Sequence, residues 1–218
     1  MKKDTCPNGD FSSSYYDGVC GAGDQEPSHN APSEKLTGQT IYERAKEQGL
    51  TSMSTFESFR PDVPITRAEM TKVIVAFITA SKASLSGETS DLPALSGAKD
   101  EMNIACRSFS DLNEVSTDLQ SYIIKACELG LMGYYSDGQT VKSEFKPNET
   151  ITLAEVAITV SRWLRGNLYK GSEQRRYHSH LLALQKVGLL SWGVNPMENG
   201  KRETIYTIFY TLRPFLPK

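Results

Sequence analysis

Two stretches of the chain read Phe59-Arg-Pro61-Asp-Val-Pro-Ile65-Thr66-Arg67-Ala68-Glu69 and Phe145-Lys-Pro147-Asn-Glu-Thr-Ile151-Thr152-Leu153-Ala154-Glu155. They align without a gap, and Phe, Pro, Ile, Thr, Ala and Glu recur at the same spacing. Thr-x-x-Glu ahead of an apolar run is a capping box: the Thr hydroxyl accepts from the amide three residues on, and the Glu carboxylate accepts from the cap amide. Thr66, Glu69, Thr152 and Glu155 therefore read as structural caps, with Ile65 and Ile151 at the staple position. The helix that follows carries Met70, Val73, Ile74, Phe77 and Ile78 on one stripe in the first copy, and Val156, Val160, Trp163 and Leu164 in the second. That is a helical period with one buried face.

Upstream of each box lies a shorter amphipathic segment that stops at Gly. Ile41–Gly49-Leu50 matches Tyr122–Gly130-Leu131, and His180–Gly188-Leu189 is a third copy. Glycine takes the left-handed conformation that ends a helix at little steric cost. The third copy's second block is worn: Asn195-Pro196-Met-Glu-Asn-Gly200-Lys201-Arg202-Glu203. Aligned on Glu203, it is one residue shorter, has Gly200 as its cap and lacks the box. Ile208 and Leu212 continue its stripe. The chain thus divides into a polar segment 1–37, a unit at 38–81, a polar connection at 82–104, a second unit at 105–168 and a degenerate third at 169–218. Strand signals are nearly absent, so the expected fold is all-α: three helix-loop-helix units, none able to bury its own apolar faces alone.

Composition narrows the function. The 218 residues carry a net charge of −2 and no long Lys/Arg run, so the electrostatic footprint of a nucleic-acid or anionic-membrane binder is missing. No apolar run approaches the ~20 residues that cross a bilayer. Two lysines follow Met1 without an apolar h-region, so the N-terminus as it stands is not a signal peptide. It points either to an artificial start or to the C-terminal part of a longer exported protein. Cys6, Cys20, Cys106 and Cys127 form no CxxC pair, and His29, His178 and His180 are not spaced to complete a zinc site. Two local disulfides are expected, Cys6–Cys20 and Cys106–Cys127, each worth on the order of 3 kcal/mol and each requiring an oxidising compartment. The alternative is four free thiols in a cytosolic protein. His178 and His180 at i, i+2 point apart on a helix, so no metal site is assigned. No nucleophile elbow, zincin or phosphate-cradling motif occurs. The expectation is a protein with no catalytic residues, cofactor or metal.

Repeat two also contains Phe109-Ser-Asp111, Gly130-Leu-Met-Gly133-Tyr134, Asp137-Gly138 and Ser161-Arg162-Trp163-Leu164. With the blocks above, these resemble the S-layer homology family over roughly residues 38–218, strongly in the first two units. The resemblance implies a pseudo-threefold bundle whose inter-repeat grooves bind cell-wall polysaccharide, often through a pyruvylated sugar. It implies an extracellular, wall-attached protein that performs no chemistry. The family's usual contact to the acidic group is the Arg of Thr-Arg-Ala-Glu, here Arg67. Copy two has Leu153 at that place and copy three has Lys201, so one or two working grooves are expected. Arg67 sits at the first helical turn, where neither capping nor the apolar stripe calls for a cation; the alternatives are a solvated Arg or an ion pair with a nearby acid. Tyr134 and Trp192, in loops after the Gly stops, are the aromatic candidates for stacking on a sugar. The competing function is a protein-interaction or self-assembly module whose partners are other surface-layer subunits.

Overall fold

The computed structural model describes residues 36–83, 99–135, 138–165 and 177–212; the Cys6–Cys20 pairing falls outside them. Among the described residues the structure is helical, with isolated bridges and no strand. The elements are α1 Gly38–Glu47, α2 Phe56–Phe59, α3 Arg67–Ala83, α4 Lys99–Cys106, a 3-10 turn Leu112–Glu114, α5 Thr117–Glu128, α6 Leu153–Arg165, α7 His178–Lys186 and α8 Arg202–Leu212. No described helix is long and apolar enough to cross a membrane.

The three Gly stops share one geometry. Gly49, Gly130 and Gly188 have φ of 67°, 73° and 74°. The leucine after each returns its amide to a carbonyl five residues back: Leu50 to Ala45 at 2.9 Å, Leu131 to Ala126 at 3.0 Å and Leu189 to Leu184 at 2.9 Å. The glycine amides bond Lys46, Cys127 and Gln185 carbonyls, which completes a Schellman motif at each end. All three leucines are buried.

Each unit is not a packed helical hairpin. The extensively packed long pairs are α3 with α5, α6 with α7, and α8 with α1. The second helix of every unit therefore lies on the first helix of the next, and the last returns to the first. The second helices meet through aromatics: Phe77 of α3 is 5.3 Å from Trp163 of α6, edge-on, and 5.0 Å from Phe209 of α8. The expected stripe of α3 is buried throughout. In α6 the expectation fails at Leu164, which is 36% exposed, while Ala157 is sealed. Val156, Val160 and Trp163 follow the i, i+4, i+7 line, and Leu164 lies one residue past it.

The loop–helix junctions close on each other. Ile65 N donates to Gly200 O at 3.1 Å, Gly200 N to Ile151 O at 2.8 Å, and Ile151 N to Ile65 O at 3.1 Å. The first helical amides extend the ring: Arg67 N bonds Glu149 O, Leu153 N bonds Glu198 O and Arg202 N bonds Val63 O. The next amides, of Ala68, Ala154 and Glu203, bond the carbonyls of Pro147, Pro196 and Pro61. An α-helix leaves its first N–H groups without internal partners, and here each second helix takes them from the neighbouring unit.

This ring corrects the alignment of the third copy. Pro61, Pro147 and Pro196 occupy one position, as do Ile65, Ile151 and Gly200. The block is gapless, Gly200 is at the staple position, and Lys201 precedes the helix as its cap residue. Arg202, not Lys201, stands where Arg67 does, and Glu203 falls at Ala68's place; matching Glu203 to the capping-box Glu created the false gap. A Cβ at Gly200 would lie 2.9 Å from Ile205 Cδ1, so Ile205 fills the volume that a staple side chain would need.

The segment 82–104 is not wholly a connection, because α4 begins inside it. Its last residue, Cys106, is fully buried and bonded to Cys127 of α5 with a Cα–Cα distance of 5.7 Å. Polar composition hides this helix in the sequence, and the covalent link is what ties it down. Replacing Cys106 and Cys127 together by Ala, or reducing the bond, is expected to lower the unfolding free energy by about 3 kcal/mol, the order given by closing a loop of this length. Urea denaturation with and without reductant measures it; coincident curves would refute the staple.

Candidate functional site

Arg67 opens α3 and reaches into the seam with the second unit. It is 6% exposed. Its Nε donates to Phe145 O at 2.9 Å, its Nη1 pairs with Glu155 Oε1, and its guanidinium lies 5.0 Å from the Phe145 ring centroid. The carbonyl it uses is presented by a bend. Lys146 has φ of 62°, rare for a residue with a side chain. The Asp111 carboxylate pins that bend by accepting from Phe145 N at 3.0 Å and Lys146 N at 2.7 Å. The Phe-Ser-Asp of repeat two thus positions Arg67's acceptor.

The capping-box glutamates have two jobs. Glu155 Oε2 accepts from Thr152 N at 3.0 Å and from Thr152 Oγ1 at 3.1 Å, while Oε1 faces Arg67. Thr152 Oγ1 in turn accepts from Glu155 N at 3.3 Å. Glu69 repeats this: Oε2 accepts from Thr66 N at 2.8 Å, Glu69 N donates to Thr66 Oγ1 at 3.2 Å, and Oε1 accepts from Arg202 Nη2 at 3.1 Å. Arg202 is 3% exposed, over the Phe59 ring. The third seam has neither charge: Leu153 is buried at the Arg position, and the third unit has Thr204 where the box Glu would stand.

A groove opens beside the Arg67–Glu155 pair. Its lining includes Arg67, Tyr134, Tyr135, Lys142, Glu155 and Arg162. The turn after α5 forms one wall. Gly133 there has φ of 90°, and a Cβ would lie 2.7 Å from Phe109 Cζ, so only glycine fits. Lys142 N donates to Gly133 O at 2.8 Å, and Tyr134 bridges Val141, which seats Lys142 across from that glycine. Tyr134 is buried, its hydroxyl donates to Cys127 O at 2.5 Å, and burial pushes its pKa up to about 12. Tyr135 is 49% exposed. The structure therefore gathers Arg67 and Tyr134 at one groove. Lys201 is exposed at the start of α8 and Trp192 is exposed in the α7–α8 loop; neither lines this groove.

Sequence reasoning passed over Arg162 and Lys142. For Arg162 a signal existed: Glu155, Thr159 and Arg162 lie at i, i+4 and i+7, a polar line along an otherwise apolar helix. Arg162 Nη1 donates to Leu131 O at 3.4 Å. For Lys142 there was none, because its place follows from the Tyr134–Val141 bridge.

With this geometry in place, comparison with known proteins gives one family. Residues 108–157 match the family model of the S-layer homology domain. That segment, which supplies most of the groove, is assigned to the family, whose domains anchor surface proteins to cell-wall polymers without catalysing a reaction. No curated protein matches the chain.

Two outcomes follow. Arg67→Leu and Glu155→Thr together copy the uncharged third seam. Breaking the pair from one side strands a charge, and Glu155 is partly solvated, so each single change should cost about 2 kcal/mol. The double variant should lose at least ~1 kcal/mol less than the sum; strict additivity in urea unfolding would refute the coupling. His180 is 5% exposed, and burial, aided by the Arg162 charge, lowers its pKa to about 4. A folded-state value below the unfolded one means that stability is full above pH ~6.5 and falls as pH drops toward 4, by on the order of 3 kcal/mol. His180→Phe should flatten that slope, read as the urea midpoint against pH.

Proposed function

We propose that the S-layer homology domain of residues 108–157 is one of three such units in a pseudo-threefold bundle, and that the bundle anchors an exported protein to an acidic cell-wall polysaccharide held in an inter-repeat groove. What carries this reading is the coincidence of two findings: the matched segment supplies most of the groove beside Arg67. The cyclic helix pairing and the ring of junction hydrogen bonds support three equivalent units. The groove's three cationic side chains against one carboxylate support an anionic ligand, such as a pyruvylated sugar. The exposed Tyr135 ring suits a sugar face. A buried Cys106–Cys127 disulfide suits an extracellular, wall-attached location.

Arg67 enters this proposal as the residue that joins two units at the groove floor, its Nε on Phe145 O and its Nη1 on Glu155. By the same logic the Arg202–Glu69 seam is built for a second groove, and the Leu153 seam is not. Assembly with other surface-layer subunits is the competing role.

The chain is expected to cosediment with purified sacculi that retain their acidic secondary polymer, and to be released once mild acid has removed the ketal groups. Failure to bind untreated sacculi, together with concentration-dependent oligomers in size-exclusion chromatography, would replace anchoring by self-assembly.

A further inference from the structure

We infer that the Cys106–Cys127 disulfide is a positioning element of the glycan groove as well as a staple, holding both the turn that forms one wall and the carbonyl that Arg67 uses; this rests on the anchoring role proposed above. The bond joins the end of α4 to the last turn of α5, and both cysteines are fully buried. The groove's turn leaves α5 at that point, because Cys127 O accepts the Gly130 amide of the Gly stop at 2.7 Å.

Two lines of contact run from the bond to the groove. Through Cys127 the line is short. The Tyr134 hydroxyl lies 3.8 Å from each sulfur and donates to Cys127 O at 2.5 Å. Gly133 and Tyr134 line the groove, so one carbonyl fastens the turn at both of its ends. Through Cys106 the line passes along the next five residues. Phe109 Cζ occupies the space over Gly133 that a Cβ would need, and its ring packs edge-on against Phe145 at 5.5 Å. Ser110 N donates to Ser143 O at 3.0 Å. Asp111 accepts from Phe145 N and Lys146 N, and so aims Phe145 O at Arg67 Nε.

Packing holds α4 weakly. Among its described side chains Cys106 alone is buried, and Ile104 is 67% exposed. The covalent bond is therefore what anchors the start of the 106–111 stretch. Lys46 and Gln185 occupy Cys127's place at the other two Gly stops. Among the stops, then, the fastening is confined to the unit whose turn lines the groove. A wall held in place before the ligand arrives lowers the ordering cost of binding. Loosening it weakens binding without removing any ligand contact.

The test uses the whole chain and sacculi retaining their acidic polymer, under conditions where circular dichroism shows the chain folded. Cys106→Ala with Cys127→Ala should bind about 10-fold more weakly than the parent, the order expected when a preorganised wall is lost. Leu189→Ala truncates the buried leucine of the third Gly stop. It should lower the urea midpoint to a similar degree and bind as the parent does. Should the double variant not fold, Tyr134→Phe takes its place: it keeps the ring and the disulfide, removes the bond to Cys127 O, and should bind about threefold more weakly. Parental binding by the folded double variant, or by Tyr134→Phe in its stead, would overturn the positioning role and leave anchoring intact. So would an equal loss in Leu189→Ala, which would make the disulfide a general stabiliser. Absence of binding by the parent itself would overturn both.

Discussion

An α-helix must find partners for its first amides, and in this molecule they come from a different unit. α3, α6 and α8 each donate two amides to the loop of the next unit, and the residue before each cap donates one more around a closed ring. Those donors would otherwise be buried and unpaired, a penalty of roughly 1–3 kcal/mol each. Each second helix thus depends for its first amides on a loop of another unit. The pairing of α3 on α5, α6 on α7 and α8 on α1 is the same dependence expressed in side chains.

The ring explains which motif residues matter. Phe-x-Pro is a device for aiming a carbonyl: the proline offers an acceptor with no N–H of its own, and the basic residue before it takes a left-handed bend in two copies, φ 45° at Arg60 and 62° at Lys146. Capping boxes are then recruited a second time. The glutamate that closes its own helix start also holds the arginine of the unit before it, at Arg67–Glu155 and Arg202–Glu69. Charge and countercharge are missing together at the third seam, where Leu153 is buried. A lone arginine or glutamate there would be left partly desolvated, so loss of one favours loss of the other.

Much of this was legible in the chain. The Gly stops, the Thr-x-x-Glu boxes, the α3 stripe and the Cys106–Cys127 pairing are local signals, and local signals survive in sequence. What was not legible depends on partners far along the chain. Among the readings of Arg67 as a glycan contact, a solvated cation or half of an ion pair, the sequence does not name the acid, which lies 88 residues away. Matching Glu203 to the capping-box residue puts Lys201 at Arg67's place, whereas backbone hydrogen bonds place Arg202 there. Helix α4 was hidden by its polar composition. Trp192 is a stacking candidate by its place after a Gly stop, and that place does not determine which groove it borders.

The worn third copy shows how far motif and structural role can separate. It has no Phe before its Pro196, no Thr at the cap and a glycine at the staple position. Yet Pro196, Glu198 and Gly200 supply the carbonyls that the ring requires, and Ile205 fills the space left by the missing staple. Backbone acceptors do not depend on side-chain identity, so such a unit can lose its recognisable residues and keep its place in the ring. The charged seams lack that freedom, because a guanidinium or a carboxylate cannot be replaced by a carbonyl. Sequence change in this architecture can therefore remove a seam's ion pair and leave its helices in place, as the uncharged Leu153 seam beside two charged ones shows.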